Sequence, residues 1–197
     1  MLEGSGEPQV QRALAAQLRP GMVFYDLGAN MGFFSLLAAK LVGEKGRVFS
    51  FEADPEVASR LRENIARNHF TRVSVEEKAV WSDSRRVVFA RADPAQSPDR
   101  GLGCVTKAAA PNTVEVEAVS LDSYVHAFPA PDFIKCDVEG AEVEVFRGAR
   151  ELLRTKRPRV LREVHNEENR RALVAEFSNA SYVSAPCDEN HILASPR

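Results

Sequence analysis

Short apolar runs alternate along this chain with longer segments in which apolar residues recur every three or four positions. Such runs are typical of buried strands, and the longer spacing predicts helices with one apolar face. Strands are predicted at residues 22–27, 47–52, 73–80, 87–90, 113–119, 132–137, 158–164, 182–183 and 191–194, and helices at 8–18, 33–42, 55–68, 141–153 and 167–177. Residues 121–125 predict one further helical turn, and Gly148 is expected to interrupt the fourth helix.

The order of these elements determines the expected fold. Strands that alternate with helices favour a mostly parallel sheet, because each crossover helix returns the chain to the same end of the sheet. We therefore predict an α/β fold, a doubly wound Rossmann-like sheet with helices on both faces and an antiparallel edge. The 197 residues show no repeat and no convincing boundary, so we expect one domain, 1–197, that begins with a helical segment at 1–20.

The turn after the first predicted strand has an unusual composition. An apolar run ends at Asp26, and Gly28 and Gly32 then bracket Ala-Asn-Met before the apolar pattern resumes. In a parallel sheet such a turn lies at the carboxyl end of a strand, where ligands bind and the next helix offers free N–H groups. The dinucleotide pattern G-x-G-x-x-G lacks its second glycine here, because Asn30 occupies that position. The alternative stays open that the glycines serve only packing and that Asp26 caps the turn.

Four motifs in a fixed order carry a resemblance to a known family. They are D-L-G-A-N-M-G at 26–32, F-E-A-D-P at 51–55, L-D at 121–122 and I-K-C-D-V-E-G-A-E at 134–142. Together they resemble the FkbM family of S-adenosylmethionine-dependent methyltransferases, whose members are mainly O-methyltransferases acting on hydroxyls of sugars and natural products. The resemblance runs from about residue 7 to the C-terminus, so it covers nearly the whole chain.

The resemblance implies a set of residues around S-adenosylmethionine. Asp26, Gly28, Ala29, Asn30 and Gly32 would lie near its methionine part, Ala53, Lys78 and Ala79 near its adenine, and Asp137 near the reactive methyl group. Glu52 would accept hydrogen bonds from the two ribose hydroxyls, since one carboxylate has two acceptor oxygens. Glu52 also follows the turn by roughly 20 residues, as a ribose-binding acid does in related folds. The resemblance does not extend to the loop predicted at 91–112, which we expect on the substrate side.

Methyl transfer to a hydroxyl gains from a base, and four residues at strand ends qualify by position. They are Asp137, Glu139, Glu163 and His165, of which we favour His165 or Asp137. Glu163 could instead be a structural partner of a cation, and His165 could have no role. Asn166 could join the three acidic residues as a ligand of Mg²⁺, but the sequence has no tight metal spacing, so no metal site is predicted.

Two other functions remain as alternatives. The first is an NAD-dependent oxidoreductase, which the missing second glycine and the lack of an obvious Tyr-Lys or Cys pair for hydride transfer argue against. The second is a non-catalytic cofactor-binding module, which the cluster of polar residues at strand ends argues against.

The charge of the chain restricts its partners, and its cysteine content restricts its cellular compartment. The net charge of −2 and the lack of a long apolar run argue against nucleic acid and membranes as partners. The resemblance implies a small hydroxylated acceptor. Three widely spaced cysteines do not form a disulfide framework, and the first residues lack the regions of a signal peptide. We therefore expect a reducing cytoplasm. The short segment before the first strand offers little cover for a substrate, and homo-oligomer formation stays open.

Overall fold

The computed structural model describes residues 7–91, 103–106 and 112–197. In chain order its strands are β1 (Val23–Leu27), β2 (Arg47–Phe51), β3 (Val73–Glu76), β4 (Ala79–Val80), β5 (Arg85–Ala90), β6 (Cys104–Thr106), β7 (Thr113–Val119), β8 (Phe133–Cys136), β9 (Arg159–Glu163), β10 (Tyr182–Pro186) and β11 (His191–Pro196). Its helices are α1 (Pro8–Gln17), α2 (Phe33–Val42), α3 (Pro55–Arg67), α4 (Leu121–Tyr124), α5 (Glu142–Arg147), α6 (Arg150–Thr155) and α7 (Glu167–Asn179). Most predicted elements are confirmed within a few residues.

Seven strands form the central sheet in the order β10-β11-β9-β8-β1-β2-β3. The five strands from β9 to β3 in this order are parallel, whereas β11 pairs antiparallel with both β9 and β10. Strands β1 and β8 lie at the centre and are almost wholly buried, which explains why their sequences are apolar runs without alternation. The predicted parallel sheet with an antiparallel edge is therefore confirmed.

Helices cover both faces of this sheet, because successive side chains of a strand point to opposite faces. Phe24 packs in one apolar cluster with α1 and α2, whereas the next residue, Tyr25, packs in another with α4, α5, α6 and α7. Burying each such large side chain contributes about 1.5–3 kcal/mol, which makes these two layers the main support of the helices. Within the described residues, no helix has the length and apolarity needed to cross a bilayer.

The prediction of a single strand across residues 73–80 is wrong. The amide of Lys78 donates to the carbonyl of Glu76 (2.9 Å), and the tight turn that results separates β3 from β4. Strand β4 leaves the central sheet and joins a second one, in the order β4-β7-β5-β6. The alternating pattern at 73–80 contains no Gly or Pro, so it carries no sign of this break.

Part of the loop predicted at residues 91–112 is a strand. Residues 92–102 and 107–111 lie outside the described residues, but β6 pairs antiparallel with β5. Next to it, a Cβ at Gly103 would lie 2.4 Å from Cζ of Phe89, so a glycine is needed where the chain passes this ring. The prediction of loop structure is therefore wrong for residues 104–106.

The predicted interruption of the fourth helix at Gly148 is confirmed, because α5 ends at Arg147 and α6 begins at Arg150. A Cβ at Gly148 would lie 2.3 Å from the carbonyl oxygen of Trp81. The backbone that follows β4 therefore packs directly against the junction of the two helices.

Candidate active site

A cavity of about 410 Å³ opens where β1, β2, β8 and β9 end. Because carboxyl ends of parallel strands meet at one edge of the sheet, residues distant in sequence converge there. Its wall contains Gly28, Asn30, Glu52, Ala53, Lys78, Ala79 and Asp137 of the predicted cofactor residues, and Asp137, Glu139 and Glu163 of the predicted catalytic residues. The second sheet contributes Phe89 and Val105, which the sequence pattern does not identify as site residues.

Four predicted site residues do not line this cavity: Asp26, Ala29, Gly32 and His165. Ala29 is buried against Leu61 of α3 in an apolar cluster. Asp26, Ala29 and Gly32 are buried and do not line the cavity, so a direct contact with a cofactor stays a prediction for them. His165 is exposed, and its predicted catalytic role stays a prediction as well.

The backbone conformation and the close packing of neighbouring residues both require glycine at the two glycine positions of the first turn. Gly28 and Gly32 have φ values of 73° and 93°, which residues with a Cβ rarely adopt. A Cβ at Gly28 would lie 1.7 Å from the carbonyl oxygen of Asp137, and one at Gly32 would lie 2.3 Å from Cδ1 of Leu61. The packing alternative therefore accounts for Gly32, whereas Gly28 both lines the cavity and lets Asp137 approach the turn.

Glu52 connects the end of β2 to the glycine-bearing turn. Its Oε2 accepts from the amide of Asn30 (2.8 Å) and its Oε1 from the amide of Asp54 (2.9 Å). Burial raises the pKa of Glu52 to about 7. The two hydrogen bonds favour the charged form and lower this pKa, but burial has the larger effect. A carboxylate has about four lone-pair positions, so each oxygen can accept one more donor from a ligand. The neighbouring Asp54 caps α3 by accepting from the amide of Glu56 (2.8 Å).

Lys135 is buried behind the cavity and contacts two residues that line it, Gly28 and Asp137, although the sequence analysis does not identify it. Its Nζ donates to the carbonyl of Gly28 (3.2 Å) and lies 3.3 Å from Oδ2 of Asp137 and 3.7 Å from Oδ1 of Asp26. Burial by itself would lower the pKa of Lys135, but Asp137 and Asp26 raise it above its ordinary value. The signal available was a charged residue inside the apolar run D-F-I-K-C-D.

Asp26 is fully buried beneath the turn. Its Oδ2 accepts from the hydroxyl of Ser35 (2.6 Å), which in turn accepts from the hydroxyl of Ser50 (2.8 Å). Burial raises the pKa of Asp26 above its ordinary value, and Lys135 opposes this rise. Asp26 therefore balances the charge of Lys135 and anchors the start of α2.

Asp137 and Glu163 form an interacting pair of carboxyl groups at the ends of β8 and β9. One oxygen of each lies within 4.8 Å of the other and of a ring nitrogen of His165. Burial opposes the ionisation of Asp137, but Lys135 holds its pKa below the ordinary value. Burial and the Asp137 carboxylate raise the pKa of Glu163 to about 8. At neutral pH this pair therefore holds one proton, mainly on Glu163, beside the cavity.

Glu142 fixes the segment between β8 and α5. It is fully buried, and its Oε1 accepts from the amides of Val138 and Gly140 (both 3.2 Å). The same oxygen lies 3.1 Å from Nε2 of His165, whereas Oε2 of Glu163 lies 3.9 Å from that nitrogen. His165 is therefore paired with Glu142 and does not line the cavity, whereas Glu163 lines it and is the better placed base.

Asp137, Glu163 and His165 are the side chains that could together hold a metal ion, among the residues that the structure describes. Two carboxylates and an imidazole suit several divalent cations. Asn166 does not join them as a ligand, because its Oδ1 caps α7 by accepting from the amide of Asn169 (2.8 Å). Lys135 already gives Asp137 a positive partner, which reduces the need for a cation.

Solved structures share this fold. An FkbM methyltransferase from Methylobacillus flagellatus aligns with a TM-score of 0.67 at 19% identity, over 96% of this chain and 50% of that chain. A SAM-dependent O-methyltransferase from Thermotoga maritima gives 0.60 at 14% identity, over 97% and 66%. Aeropyrum pernix fibrillarin with natively bound S-adenosyl-L-methionine gives 0.57 at 15% identity, over 93% and 73%. The strand order and the strand-end cavity thus define a methyltransferase-type α/β fold.

Sequence comparison narrows this class to one family. Residues 26–183 match the Methyltransferase FkbM domain, and the chain belongs to that family. Hexuronic acid methyltransferase AglP from Haloferax volcanii is 28% identical over 152 residues, which are 76% of this chain and 59% of AglP. An arsenite methyltransferase from Halobacterium salinarum is 42% identical over 65 residues, 33% of this chain and 16% of that protein. This chain therefore corresponds to only part of each of these two relatives.

Proposed function

We propose that this chain transfers a methyl group from S-adenosylmethionine to a hydroxyl oxygen of a small molecule such as a sugar. The observation that carries the proposal is the Asp137–Glu163 pair, which borders the same cavity as Glu52. Family membership and the likeness to AglP support methyl transfer. The carboxyl pair favours an oxygen acceptor, because an aliphatic hydroxyl reacts faster when a base removes its proton.

The residues present fit an adenosyl cofactor. Each oxygen of Glu52 has one backbone partner and can accept a ribose hydroxyl as well. Val80 and Phe89 offer an apolar wall for a flat base, and Ala53 adds to it. Bound there, S-adenosylmethionine supplies a methyl group activated by the positive charge of its sulfur.

Asp137 and Glu163 have separate tasks in this proposal. Glu163, in its deprotonated form, accepts the hydrogen bond of the reacting hydroxyl and takes its proton. The ionised Asp137 orients the acceptor by accepting a hydrogen bond from a neighbouring hydroxyl of the same molecule. A base contributes about 10²–10⁴-fold, and correct alignment of the reactants contributes on the order of 7–11 kcal/mol. Lys135 keeps Asp137 ionised, so we propose that no divalent cation is required. The proposal needs neither nucleic acid nor a membrane as partner.

Thermal melting with S-adenosylhomocysteine, S-adenosylmethionine and NAD in parallel tests the cofactor. A ligand at a hundred times its Kd adds about 2.7 kcal/mol of stability, which corresponds to several degrees for a chain of this size. We expect both adenosyl-sulfur ligands to raise Tm and NAD to leave it unchanged. Stabilisation by NAD alone, or by none of the three, would contradict the proposal. Transfer of labelled methyl to a mixture of polyols and amines, followed by product analysis, then distinguishes oxygen from nitrogen acceptors.

A further inference from the structure

A second cavity, of about 350 Å³, adjoins the one that contains the carboxyl pair. Val105, Glu139 and Ala141 line both cavities. We call the second one the outer cavity; Trp81, Glu139, Glu144, Arg147, Glu168 and Asn169 are the members of its wall used below. Because the two cavities share this wall, a molecule in the outer cavity adjoins the cavity that contains Asp137 and Glu163, the groups proposed to handle its proton.

The shared wall of the two cavities is held in a fixed position. Glu139 has a φ of 51°, a left-handed conformation that a residue with a Cβ rarely adopts without support from its surroundings. The buried carboxylate of Glu142 holds the amides on either side, those of Val138 and Gly140. On the outer side, Nδ2 of Asn169 donates to the carbonyl of Gly140 (3.2 Å). The Glu139 side chain is therefore presented between the two cavities by contacts from both α5 and α7.

The charges of the outer cavity favour one class of ligand. Its described wall contains three carboxylates, Glu139, Glu144 and Glu168, and a single cation, Arg147, which is already paired with Glu144. Carboxylates bind protonated amines through charge-assisted hydrogen bonds. Trp81 adds an aromatic surface, which attracts a cation and packs against the apolar face of a sugar ring. An anionic ligand would meet an excess of like charge.

We propose that the outer cavity is the acceptor subsite and that it takes an amino sugar or a similar hydroxylated molecule with a protonated amine. The inference rests on the proposed function, since an acceptor must lie beside the site of methyl transfer. It also separates this chain from AglP, whose name gives a hexuronic acid, an anionic sugar, as the substrate. We expect a cationic sugar to bind best, a neutral sugar less well and an anionic sugar least.

Three sugars of similar shape test this order on the full chain saturated with S-adenosylhomocysteine. D-glucosamine, D-glucose and D-glucuronate are titrated separately and binding is followed by NMR. We expect glucosamine to bind roughly three- to tenfold more tightly than glucose, and glucuronate to bind more weakly than glucose. The expected ratio is small because exposed charge pairs contribute little binding free energy. The preference should shrink at high salt and in Glu168→Gln, whereas Glu63→Gln on α3, an exposed acid outside both cavities, should keep it.

Binding results that differ from the expected order distinguish failure of this inference from failure of the proposed function. Equal binding of the three sugars, a preference for glucuronate, or binding of none while S-adenosylhomocysteine binds overturns the inference and leaves the proposed cofactor intact. A preference that Glu168→Gln does not change also overturns it. Failure of S-adenosylhomocysteine to bind, by contrast, contradicts the proposed function itself.

Discussion

The ammonium group of Lys135 lies 3.3 Å from the carboxylate of Asp137, two residues further along the chain. The same group donates to the carbonyl of Gly28 at 3.2 Å. One buried cation therefore joins the turn after β1, where the cofactor is proposed to bind, to the carboxyl pair proposed to handle the acceptor's proton. The position of one half of the site depends on the other.

Replacement of Lys135 by methionine should destabilise the protein by about 3–5 kcal/mol, because it leaves the fully buried Asp26 and the partly buried Asp137 without their cation. This loss of stability should become smaller as the pH falls, because the two carboxyl groups can then take up protons. Urea unfolding at several pH values measures this. Lys40→Met, at an exposed position of α2, is the matched control. A Lys135→Met protein with unchanged stability would show that the buried charges do not need this cation.

The carboxyl pair should determine how the rate depends on pH. Burial and Asp137 raise the pKa of Glu163 to about 8, so kcat/KM should rise with pH and level off above this value. We call this rise of the rate with pH the step. The positive sulfur of the bound cofactor favours the ionised carboxylate, so the step in kcat should lie at lower pH than the step in kcat/KM. Glu163→Gln should lower turnover by about 10²–10⁴-fold and remove the step.

Glu167→Gln, at an exposed residue of α7, is the control for loss of a nearby charge. The observed values belong to the interacting pair and not to Glu163 alone. An unchanged step in Glu163→Gln would assign it to another group, and His165→Gln would then be the next variant to measure.

Sequence alone predicts the central sheet and half of the site because both depend on local patterns. The resemblance implies a ribose contact for Glu52, and its position roughly 20 residues after the glycine-bearing turn supports this prediction. Lys135 could not be recognised, because its importance comes from two partners, Asp26 and Gly28, that lie more than a hundred residues earlier. The second sheet was missed for the same reason, as β4 pairs with the distant β7. Contacts of this kind have no signature in the spacing of nearby residues.

Glu52→Gln should weaken binding of S-adenosylhomocysteine by about 1.5–3 kcal/mol, because it removes hydrogen bonds to a charged acceptor. Burial raises the pKa of Glu52 to about 7, so the affinity of the wild-type protein should rise between about pH 6 and pH 8 as the carboxylate forms. Calorimetric titration of both proteins across this range measures the effect. Glu63→Gln should behave like wild type, and a Glu52→Gln protein with wild-type affinity would falsify the ribose contact.

Removal of divalent cations should leave methyl transfer unchanged. Lys135 already supplies the positive charge next to Asp137, and His165 is engaged by Glu142. The assay compares protein treated with EDTA, the same protein with Mg²⁺ or Mn²⁺ added back, and untreated protein. If activity is lost on chelation and restored by a cation, Asp137, Glu163 and His165 bind a metal, and the role given to Glu163 as base must be abandoned.

His191 should make stability depend on pH through a cluster that also borders the site. Its Nε2 lies 3.1 Å from Glu7 and its Nδ1 lies 2.9 Å from Asp188. Burial opposes the charged form, but these two acids raise the pKa of His191 to about 9 from an ordinary 6.5. Because the pKa is higher in the folded state, the stabilisation is complete below pH 6.5 and disappears as the pH rises to about 9.

His191→Gln should therefore cost about 1–2 kcal/mol at pH 6 and much less at pH 9.5. Urea midpoints of wild type and variant across this range give the difference directly, which cancels the separate effects of Glu52 and Glu163. His126→Gln, at an exposed position after α4, should show a constant difference in stability from wild type across this pH range.

His191 also pairs with Glu163 between β11 and β9, and its charge lowers the pKa of Glu163. The variant should consequently shift the step in kcat/KM to higher pH, and a step that does not move would mean that the cluster acts on stability alone.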